Sequence, residues 1–597
     1  MCQGIKVSRF LIVLYSLFLF SLPAFADTPH DQQLVQLVHQ FKASRANDEA
    51  TRAQIKALIQ KRRAWLKQNT RSAPSVAVQD GSWDGQVSAV VVDLADERGQ
   101  ITGTRDEYHL HLSTGSVRLL LIDGAPLGMQ KNPRVHVEGV KVDNWIIPEK
   151  ISPTNVPSAS GAGIAATMAL AAPACATTGD QKAIVIAVNW QDDTTASPAA
   201  TTLNDRYFAP TQSLANYWTE ASYGKLRLTG DTFGWFTVNI PTASACDSVL
   251  VRQKALEVVA PYTDLTTYNR IFLVMRNPTP GCGWAGLGEL SCSTFTTPDG
   301  PMMAKTHWIL SSYFNQPNLA VWLAAHEAGH NLGLHHAAVR DYGANAIGPV
   351  GGSNSGQLVE YGDRYDSMGT YTAPNHYNAN HKYNLGWLTD ADIVPVNGNR
   401  TVLLEPMSTP ITGIKATRIY RGVDPTYFTK EYLWLETRQP KGYDAFMDAR
   451  GYGSIIVHHQ TATSGIKTEN LDLHPSISTA VSDYLDAPLA SGESFTDPYS
   501  LIKITHAGVD ASGKVTTVIT QDAGKIDTDE DGLPNSVEAL YGSNPNLVDT
   551  DGDGVTDYRE VCYDGDCLHY NPAPAGGDIN LLKSDTDGDG LDRKSVV

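Results

Sequence analysis

The sequence predicts an α+β protein of several domains, and three observations lead to this prediction. The chain has 597 residues, which is more than one hydrophobic core usually organises. Apolar strand patterns alternate with helical patterns over residues 183–336, an order typical of a sheet flanked by helices. Residues 86–147 and 399–520 consist mainly of short strand patterns separated by Gly, Asp and Pro. We therefore expect a central α+β domain between two β-rich modules.

Residues 1–26 have the pattern of a secretory signal peptide. Lys6 and Arg9 precede an apolar run from Phe10 to Leu22, and the small residues of Ala24-Phe25-Ala26 follow it. The apolar run is too short for a stable membrane span, and we predict no span later in the chain. We expect cleavage after Ala26 and export of the remainder.

Residues 27–174 are interpreted as a propeptide. Apolar spacing predicts amphipathic helices within 31–70, and short strand patterns predict a small β module over 86–147. Residues 148–181 are rich in Pro, Ser, Thr, Ala and Gly, which is the composition of a linker. A cut in an accessible linker would separate this N-terminal region from the rest of the chain.

The central domain is expected over residues 175–398. A long helix is predicted to begin near Asn318, directly after Pro317. Before this helix we predict strands over 183–190, 270–275 and 306–311, helices around 203–222 and 247–260, and a hairpin over 226–238.

A β-sandwich-like domain is expected over residues 399–521. The strand patterns that predict it lie at 401–404, 432–437, 454–458, 501–506 and 514–519.

Residues 326–336 carry the pattern H-E-x-x-H-x-x-G-x-x-H. His326 and His330 are four residues apart on the predicted helix, so both imidazoles can reach one metal ion. Gly333 adopts positive φ without a Cβ clash, so the chain can leave the helix there and bring His336 round as a third ligand. Three histidines leave one position of a tetrahedral zinc ion open, which is typical of a catalytic site. Glu327 is then placed to accept a proton from the reacting water.

The alternative is a buried amphipathic helix that carries histidines by coincidence. A bare H-E-x-x-H does arise by chance in long proteins, but a glycine and a third histidine at fixed spacing make coincidence improbable. His335 is one residue short of the expected spacing, so we assign it to the surface or to the surroundings of the site.

The region from Ala183 to about Trp387 resembles the gametolysin-like metalloproteases (peptidase M11), a branch of the metzincins. The zinc motif indicates a metzincin. Three further stretches narrow the resemblance to the gametolysin-like branch: Gly281–Gly288, Tyr361–Gly369, and His376–Ala379 leading to Leu385–Trp387. The resemblance implies a zincin-like catalytic domain with a twisted mixed sheet and an active-site helix. It also implies that Met368 lies in a tight turn beneath the zinc ligands and that the strand over 306–311 is the edge that binds extended substrate.

Six cysteines remain after the signal peptide, an even number that suits an oxidising compartment. Cys175 at the end of the linker has two interpretations. Its thiolate would occupy the open zinc position as a cysteine switch, or it forms a disulfide, which the cysteine count favours. Cys562 and Cys567 are close enough to close a small loop.

Acidic residues are concentrated in the tail. The formal net charge is -18, and residues 527–592, with 17 acidic and two basic residues, contribute -15 of it. Carboxylates at positions 1, 3, 5 and 12 with glycine at position 6 are the ligands and the turn that Ca²⁺ requires. The tail resembles thrombospondin type 3 and related bacterial calcium repeats. Its calcium ligands are predicted to be Asp527, Asp529, Asp531 and Glu538; Asp549, Asp551, Asp553 and Glu560; and, in a third and incomplete copy, Asp585, Asp587 and Asp589.

These resemblances imply a secreted zinc endopeptidase, made as a zymogen, that hydrolyses extracellular, cell-wall or matrix proteins. The signal peptide and the repeats look bacterial. A calcium-stabilised adhesion or matrix-binding protein with an idle zinc domain is the alternative, and the presence of Glu327 favours the enzyme. Nucleic-acid binding is disfavoured because the chain has no large basic stripe.

Overall fold

The structure is a computed structural model. It describes residues 30–43, 49–68, 78–95, 101–112, 115–122, 125, 129, 133–154, 175–352, 355–369, 374–461, 468–475, 483–563, 567, 569–570 and 578–584. The predicted signal peptide and the third acidic repeat lie outside these residues. The chain divides into two compact units. Unit 1 comprises 1–83, 119–124 and 136–152, and unit 2 comprises 84–118, 125–135 and 153–597.

The described residues form nine α-helices and 22 β-strands. The helices are α1 (Asp31–Ala43), α2 (Glu49–Gln68), α3 (Ala200–Phe208), α4 (Leu214–Ala221), α5 (Ser248–Val259), α6 (Pro317–Leu332), α7 (Ala379–Asn384), α8 (Asn535–Tyr541) and α9 (Asp557–Val561). The first eleven strands are β1 (Val78–Ala95), β2 (Ile101–Leu112), β3 (Gly115–Leu119), β4 (Arg134–Val142), β5 (Trp145–Pro153), β6 (Gly179–Trp190), β7 (Leu226–Val238), β8 (Arg270–Met275), β9 (Trp284–Glu289), β10 (Ser293–Thr297) and β11 (Gly300–Leu310). The others are β12 (Ala337–Asp341), β13 (Gln357–Val359), β14 (Ile393–Val396), β15 (Arg400–Leu404), β16 (Ala416–Asp424), β17 (Thr429–Glu436), β18 (Ile456–Gln460), β19 (Thr468–Asn470), β20 (Ser494–Thr496), β21 (Ile502–Val509) and β22 (Val515–Gln521). The chain is therefore α+β with more strand than helix, as predicted.

Unit 1 contains the two predicted N-terminal helices. Leu34 and Val38 of α1 and Ile55 of α2 are buried in one apolar cluster with residues of β4 and β5. Arg62 of α2 donates a hydrogen bond of 2.6 Å to the Asp31 carboxylate, and both side chains are buried. This ion pair joins the first turn of α1 to the second half of α2.

The central sheet of unit 2 has the strand order β9-β11-β8-β6-β7. Neighbouring strands from β11 to β7 are parallel, whereas β9 is antiparallel to β11. All six residues of β8 are buried, which matches the continuous apolar run of a parallel strand covered on both faces. On its side away from β11, β9 pairs antiparallel with residues 90–94 of β1.

Two sequence predictions fail in this sheet. Leu226–Val238 is one strand, β7, that pairs parallel with β6, so the predicted hairpin is wrong. A Cβ on Gly230 would lie 2.0 Å from the Ala183 carbonyl oxygen, so this glycine permits close strand contact and does not make a turn. The strand over 306–311 belongs to β11, which has β8 on one side and β9 on the other, so it is not a sheet edge.

Unit 2 also contains two sheets that share one hydrophobic cluster. The seven-stranded sheet has the order β13-β12-β19-β18-β17-β16-β14, and the four-stranded sheet has the order β15-β22-β21-β20. Leu433 and Val457 from the first sheet lie in the same cluster as Val515 and Ile519 from the second. Because β12 and β13 precede residue 399, the first sheet crosses the predicted boundary between the central and C-terminal domains.

Three disulfides link the six cysteines: Cys175–Cys292, Cys246–Cys282 and Cys562–Cys567. Cys175 is therefore a disulfide partner, and the cysteine-switch interpretation is wrong. None of the described helices is long and apolar enough to cross a membrane.

Candidate metal centre

The three histidines of the motif meet at the C-terminal end of α6. His326 and His330 project from consecutive turns, with ring centroids 5.1 Å apart, and both are fully buried. The helix ends at Gly333, which has φ 99°, and the Gly333 amide donates to the His330 carbonyl oxygen. The chain then turns back and places the His336 ring 4.9 Å from that of His330. The glycine therefore brings the third histidine to the first two.

Each of these imidazoles is oriented by a hydrogen bond from Nδ1. His326 donates to the Ser367 carbonyl oxygen at 2.8 Å, and His330 donates to the Leu334 carbonyl oxygen at 2.7 Å. His336 donates to the Glu360 carboxylate at 2.7 Å. Because Nδ1 carries the proton, each Nε2 lone pair is free to bind a metal ion.

The ligand atoms fit a metal ion. The Nε2 atoms of the three histidines and one carboxylate oxygen of Asp93 lie within 4.8 Å of one another. None of these Nε2 atoms has a hydrogen-bond partner, although all three are buried. Buried polar atoms without partners are costly, and a metal ion at their shared centre removes that cost.

Glu327 faces the same centre. Its side chain is fully buried, and neither carboxylate oxygen has a hydrogen-bond partner. Burial, and next the charge of Asp93, raises the pKa of Glu327 well above its usual value. A Cβ on Gly286 of β9 would lie 2.0 Å from Oε1, so a larger residue there would displace the carboxylate. A buried carboxyl group beside the metal position is placed to accept a proton and to return it.

Met368 lies beneath α6. Its side chain is fully buried, and a Cβ on Gly329 would lie 2.3 Å from the Met368 sulfur. Asp366 accepts a hydrogen bond from the Met368 amide at 2.7 Å and holds this turn in place. Gly329, within H-E-x-x-H, thus allows α6 to pack closely against Met368.

Three other histidines near the motif, His335, His376 and His381, are not among the possible metal ligands. His376 bonds to Glu220 at 2.9 Å, and His381 bonds to Asp366 at 2.8 Å. His335 is largely buried but does not join the group of possible metal ligands. The structure therefore gathers His326, His330 and His336 and leaves these three outside.

Sequence reasoning missed Asp93 and Glu360. Asp93 lies in β1 within the run Val90-Val91-Val92-Asp93-Leu94, and its side chain is fully buried. A lone acidic residue inside an apolar strand needs a charged partner or a metal ion, and this signal was available in the sequence. Glu360 follows a short strand with no motif that identifies it.

Two further clusters of carboxylates occur in the tail. Asp527, Asp529 and Asp531 form one group, and Asp549, Asp551 and Asp553 form the other. Glu538 and Glu560, at position 12 of the two repeats, are fully buried, and each has a carboxylate oxygen without a hydrogen-bond partner. Burial, and next the neighbouring aspartates, raises the pKa of Glu538 to about 8 and that of Glu560 to about 9. Such carboxylates suit a bound cation.

The first acidic repeat is attached to the seven-stranded sheet. Tyr420 of β16 donates a hydrogen bond of 2.7 Å to Asp527, and Tyr432 of β17 donates one of 3.0 Å to Glu530. Leu533 and Tyr558 share an apolar cluster with Tyr420. Ligand geometry in the repeat is therefore coupled to this contact.

Comparison with protein families supports both resemblances inferred from the sequence. Residues 204–465 match the gametolysin peptidase M11 family, and this range includes the three histidines, Glu327 and Met368. Residues 527–547 and 549–565 match the bacterial TSP3 repeat. A comparison with curated proteins gave no match. The central part of the chain is thus peptidase-like, and its tail is a pair of TSP3-like repeats.

Proposed function

From the match to the gametolysin peptidases, we propose that the protein is a secreted zinc-dependent endopeptidase made as a zymogen. The observation that supports this proposal most strongly is the convergence of three unpartnered Nε2 atoms beside the unpartnered Glu327 carboxylate. In this proposal the zincin-like catalytic unit comprises the central sheet, α6 and the Met368 turn.

Three imidazoles whose Nδ1 atoms donate hydrogen bonds away from the centre, so that each Nε2 faces it, are a donor set that suits zinc. Zinc bound there would polarise the scissile carbonyl and lower the pKa of water from about 15.7 towards about 7. Glu327 accepts the proton of the attacking water and passes it to the leaving amine. Gly286 provides the space that this carboxylate needs.

The substrate is proposed to be a protein segment in extended form. β9 ends the run of strands β9-β11-β8-β6-β7, and on its side away from β11 it pairs with residues 90–94 of β1. Departure of β1 would expose the backbone groups of this edge. An extended peptide can add to such an edge through main-chain hydrogen bonds. Extracellular, cell-wall or matrix proteins are the proposed class.

Secretion and calcium binding complete the proposal. The signal pattern of residues 1–26 and the three disulfides support an extracellular location. The carboxylate clusters of the two described repeats are proposed to bind structural Ca²⁺, with Glu538 and Glu560 as the position-12 ligands.

A zinc-selective chelator is expected to abolish hydrolysis of gelatin or casein by the activated protein. Elastase, which cuts after small residues, can cleave the Ala-rich segment 155–174; it is then blocked with a serine-protease inhibitor, and the cut N-terminal fragment is removed by chromatography. We expect 1,10-phenanthroline to remove activity, its non-chelating 1,7 isomer to have no effect, and added zinc, but not calcium, to restore the activity. Hydrolysis that persists in 1,10-phenanthroline would contradict the proposal.

A further inference from the structure

We propose that Asp93 is the fourth zinc ligand of the uncut precursor and that β1 fills the substrate edge of the central sheet. The inference rests on the proposed zinc peptidase and names the residue that keeps it latent. Asp93 lies outside residues 204–465, so the family match does not include it.

The position of the Asp93 carboxylate supports this role. Its oxygens lie 3.1 Å from His326 Nε2 and 2.9 Å from His336 Nε2, and the side chain is fully buried. Asp93 Oδ2 has no hydrogen-bond partner. Three nitrogens and one oxygen complete a tetrahedral set, which is the closed arrangement of a site without room for reacting water.

Tyr361 holds this carboxylate in place. Its hydroxyl donates a hydrogen bond of 2.6 Å to Asp93 Oδ1. The bond engages Oδ1, whereas Oδ2 has no hydrogen-bond partner. A hydrogen-bonded ligand of this kind is typical of metal sites, in which the surroundings fix the ligand orientation.

The register of β1 explains why Asp93 reaches the site. Residues 90–94 of β1 run antiparallel to β9, and Asp93 is opposite Gly286. Gly286 is the residue that borders the Glu327 carboxylate. β1 therefore takes the edge that an extended substrate would use and carries a carboxylate to the point where the scissile bond would lie.

Further contacts within unit 2 keep this N-terminal segment on the catalytic sheet. His111 bonds to Ser293 at 2.9 Å, and Arg118 donates to Ser248 at 3.0 Å. The Ala95 amide donates to the Gly283 carbonyl oxygen at 2.8 Å. A single cut between residues 155 and 174, inside the predicted linker 148–181, leaves these contacts intact, so activation also requires the N-terminal fragment to dissociate or be degraded.

Cobalt substitution of the full-length precursor tests this inference. Azide serves as a small probe of an open metal position, and the visible absorption spectrum of Co²⁺ reports its binding. The variants are Asp93→Ala, Asp93→Asn and, as a matched control, Asp84→Asn, which changes an exposed aspartate of the same strand. We expect azide to alter the spectrum of Asp93→Ala, to alter that of Asp93→Asn to a smaller extent because a neutral amide holds the metal ion less tightly, and to leave the wild-type and Asp84→Asn spectra unchanged. Hydrolysis is not the readout, because β1 still fills the edge in these variants.

The outcomes separate the two proposals. An azide response in the wild-type precursor equal to that of Asp93→Ala would overturn the role of Asp93 and leave the metal centre standing. Absence of bound cobalt from every variant would overturn the metal centre itself. If circular dichroism shows that the Asp93 variants do not fold, the comparison is made on wild-type protein before and after removal of the cut N-terminal fragment. We then expect the azide response only after removal, and a response before removal overturns the proposal.

Discussion

Replacement of Glu327 by glutamine is expected to abolish peptide hydrolysis while zinc stays bound. The amide cannot accept the proton of the attacking water, and removal of such a general base usually lowers kcat by about 10²- to 10⁴-fold. Glutamine has nearly the same shape as glutamate, so it fits the space beside Gly286, and the three histidine ligands are unchanged. The measurement is gelatin hydrolysis by elastase-activated protein, with zinc content determined on the same samples.

Glu257→Gln is the matched control, because Glu257 is an exposed residue of α5 far from the motif in sequence. Its activity and zinc content are expected to equal those of the wild type. Normal hydrolysis by Glu327→Gln would remove Glu327 from the mechanism. A wild type that binds zinc but stays inactive after removal of the N-terminal fragment would instead favour the adhesion alternative with an idle zinc domain.

Removal of calcium is expected to release the acidic repeats from β16 and β17. A larger fraction of the repeats is expected to be released at high pH than at low pH. In the calcium-free fold, burial, followed by neighbouring carboxylates, raises the pKa of Glu538 to about 8 and that of Glu560 to about 9. The folded repeats therefore hold these protons more tightly than the unfolded chain, in which glutamate titrates near 4.5. Stability from protonation is present below pH 4.5 and is lost as the pH rises through 8 to 9. Bound Ca²⁺ compensates the carboxylate charges and so removes this pH dependence of the stability of the repeats.

Limited proteolysis with mass mapping measures this release. With EGTA, cleavage within residues 522–584 is expected to be faster at pH 8.5 than at pH 6, and calcium is expected to suppress it at both values. Cleavage of an added unstructured peptide serves as the reference for protease activity at each pH. The Glu538→Gln variant is expected to keep the first repeat protease-sensitive at low calcium concentration. Equal cleavage with and without EGTA at both pH values would contradict calcium binding by these repeats.

The site residues that sequence analysis found are those whose geometry is local. His326 and His330 are related by one helical turn, and Gly333 ends that helix, so spacing alone indicates their arrangement. Met368 was identified only through resemblance to a family. Its contact with Gly329 joins elements that are distant in sequence, and no local pattern specifies such a contact.

Asp93 escaped sequence analysis because its role depends on strand pairing between distant segments. The apolar run around it predicts a strand but does not say which edge the strand joins. Pairing with β9 makes residues 90–94 part of the central sheet, whereas sequence composition assigned these residues to a separate propeptide. The hairpin predicted over 226–238 failed for a related reason, since Gly230 serves close contact with β6.

The most direct test of the zinc centre is the metal content of activated protein after dialysis against calcium-containing buffer. Wild type and Glu327→Gln are predicted to hold about one zinc ion per chain at the three-histidine site. His330→Ala, which removes one ligand, is predicted to hold little or none under the same conditions, with a circular dichroism spectrum that matches the wild type. Equal zinc retention in folded His330→Ala and wild type would contradict the assignment of His326, His330 and His336 as the metal ligands.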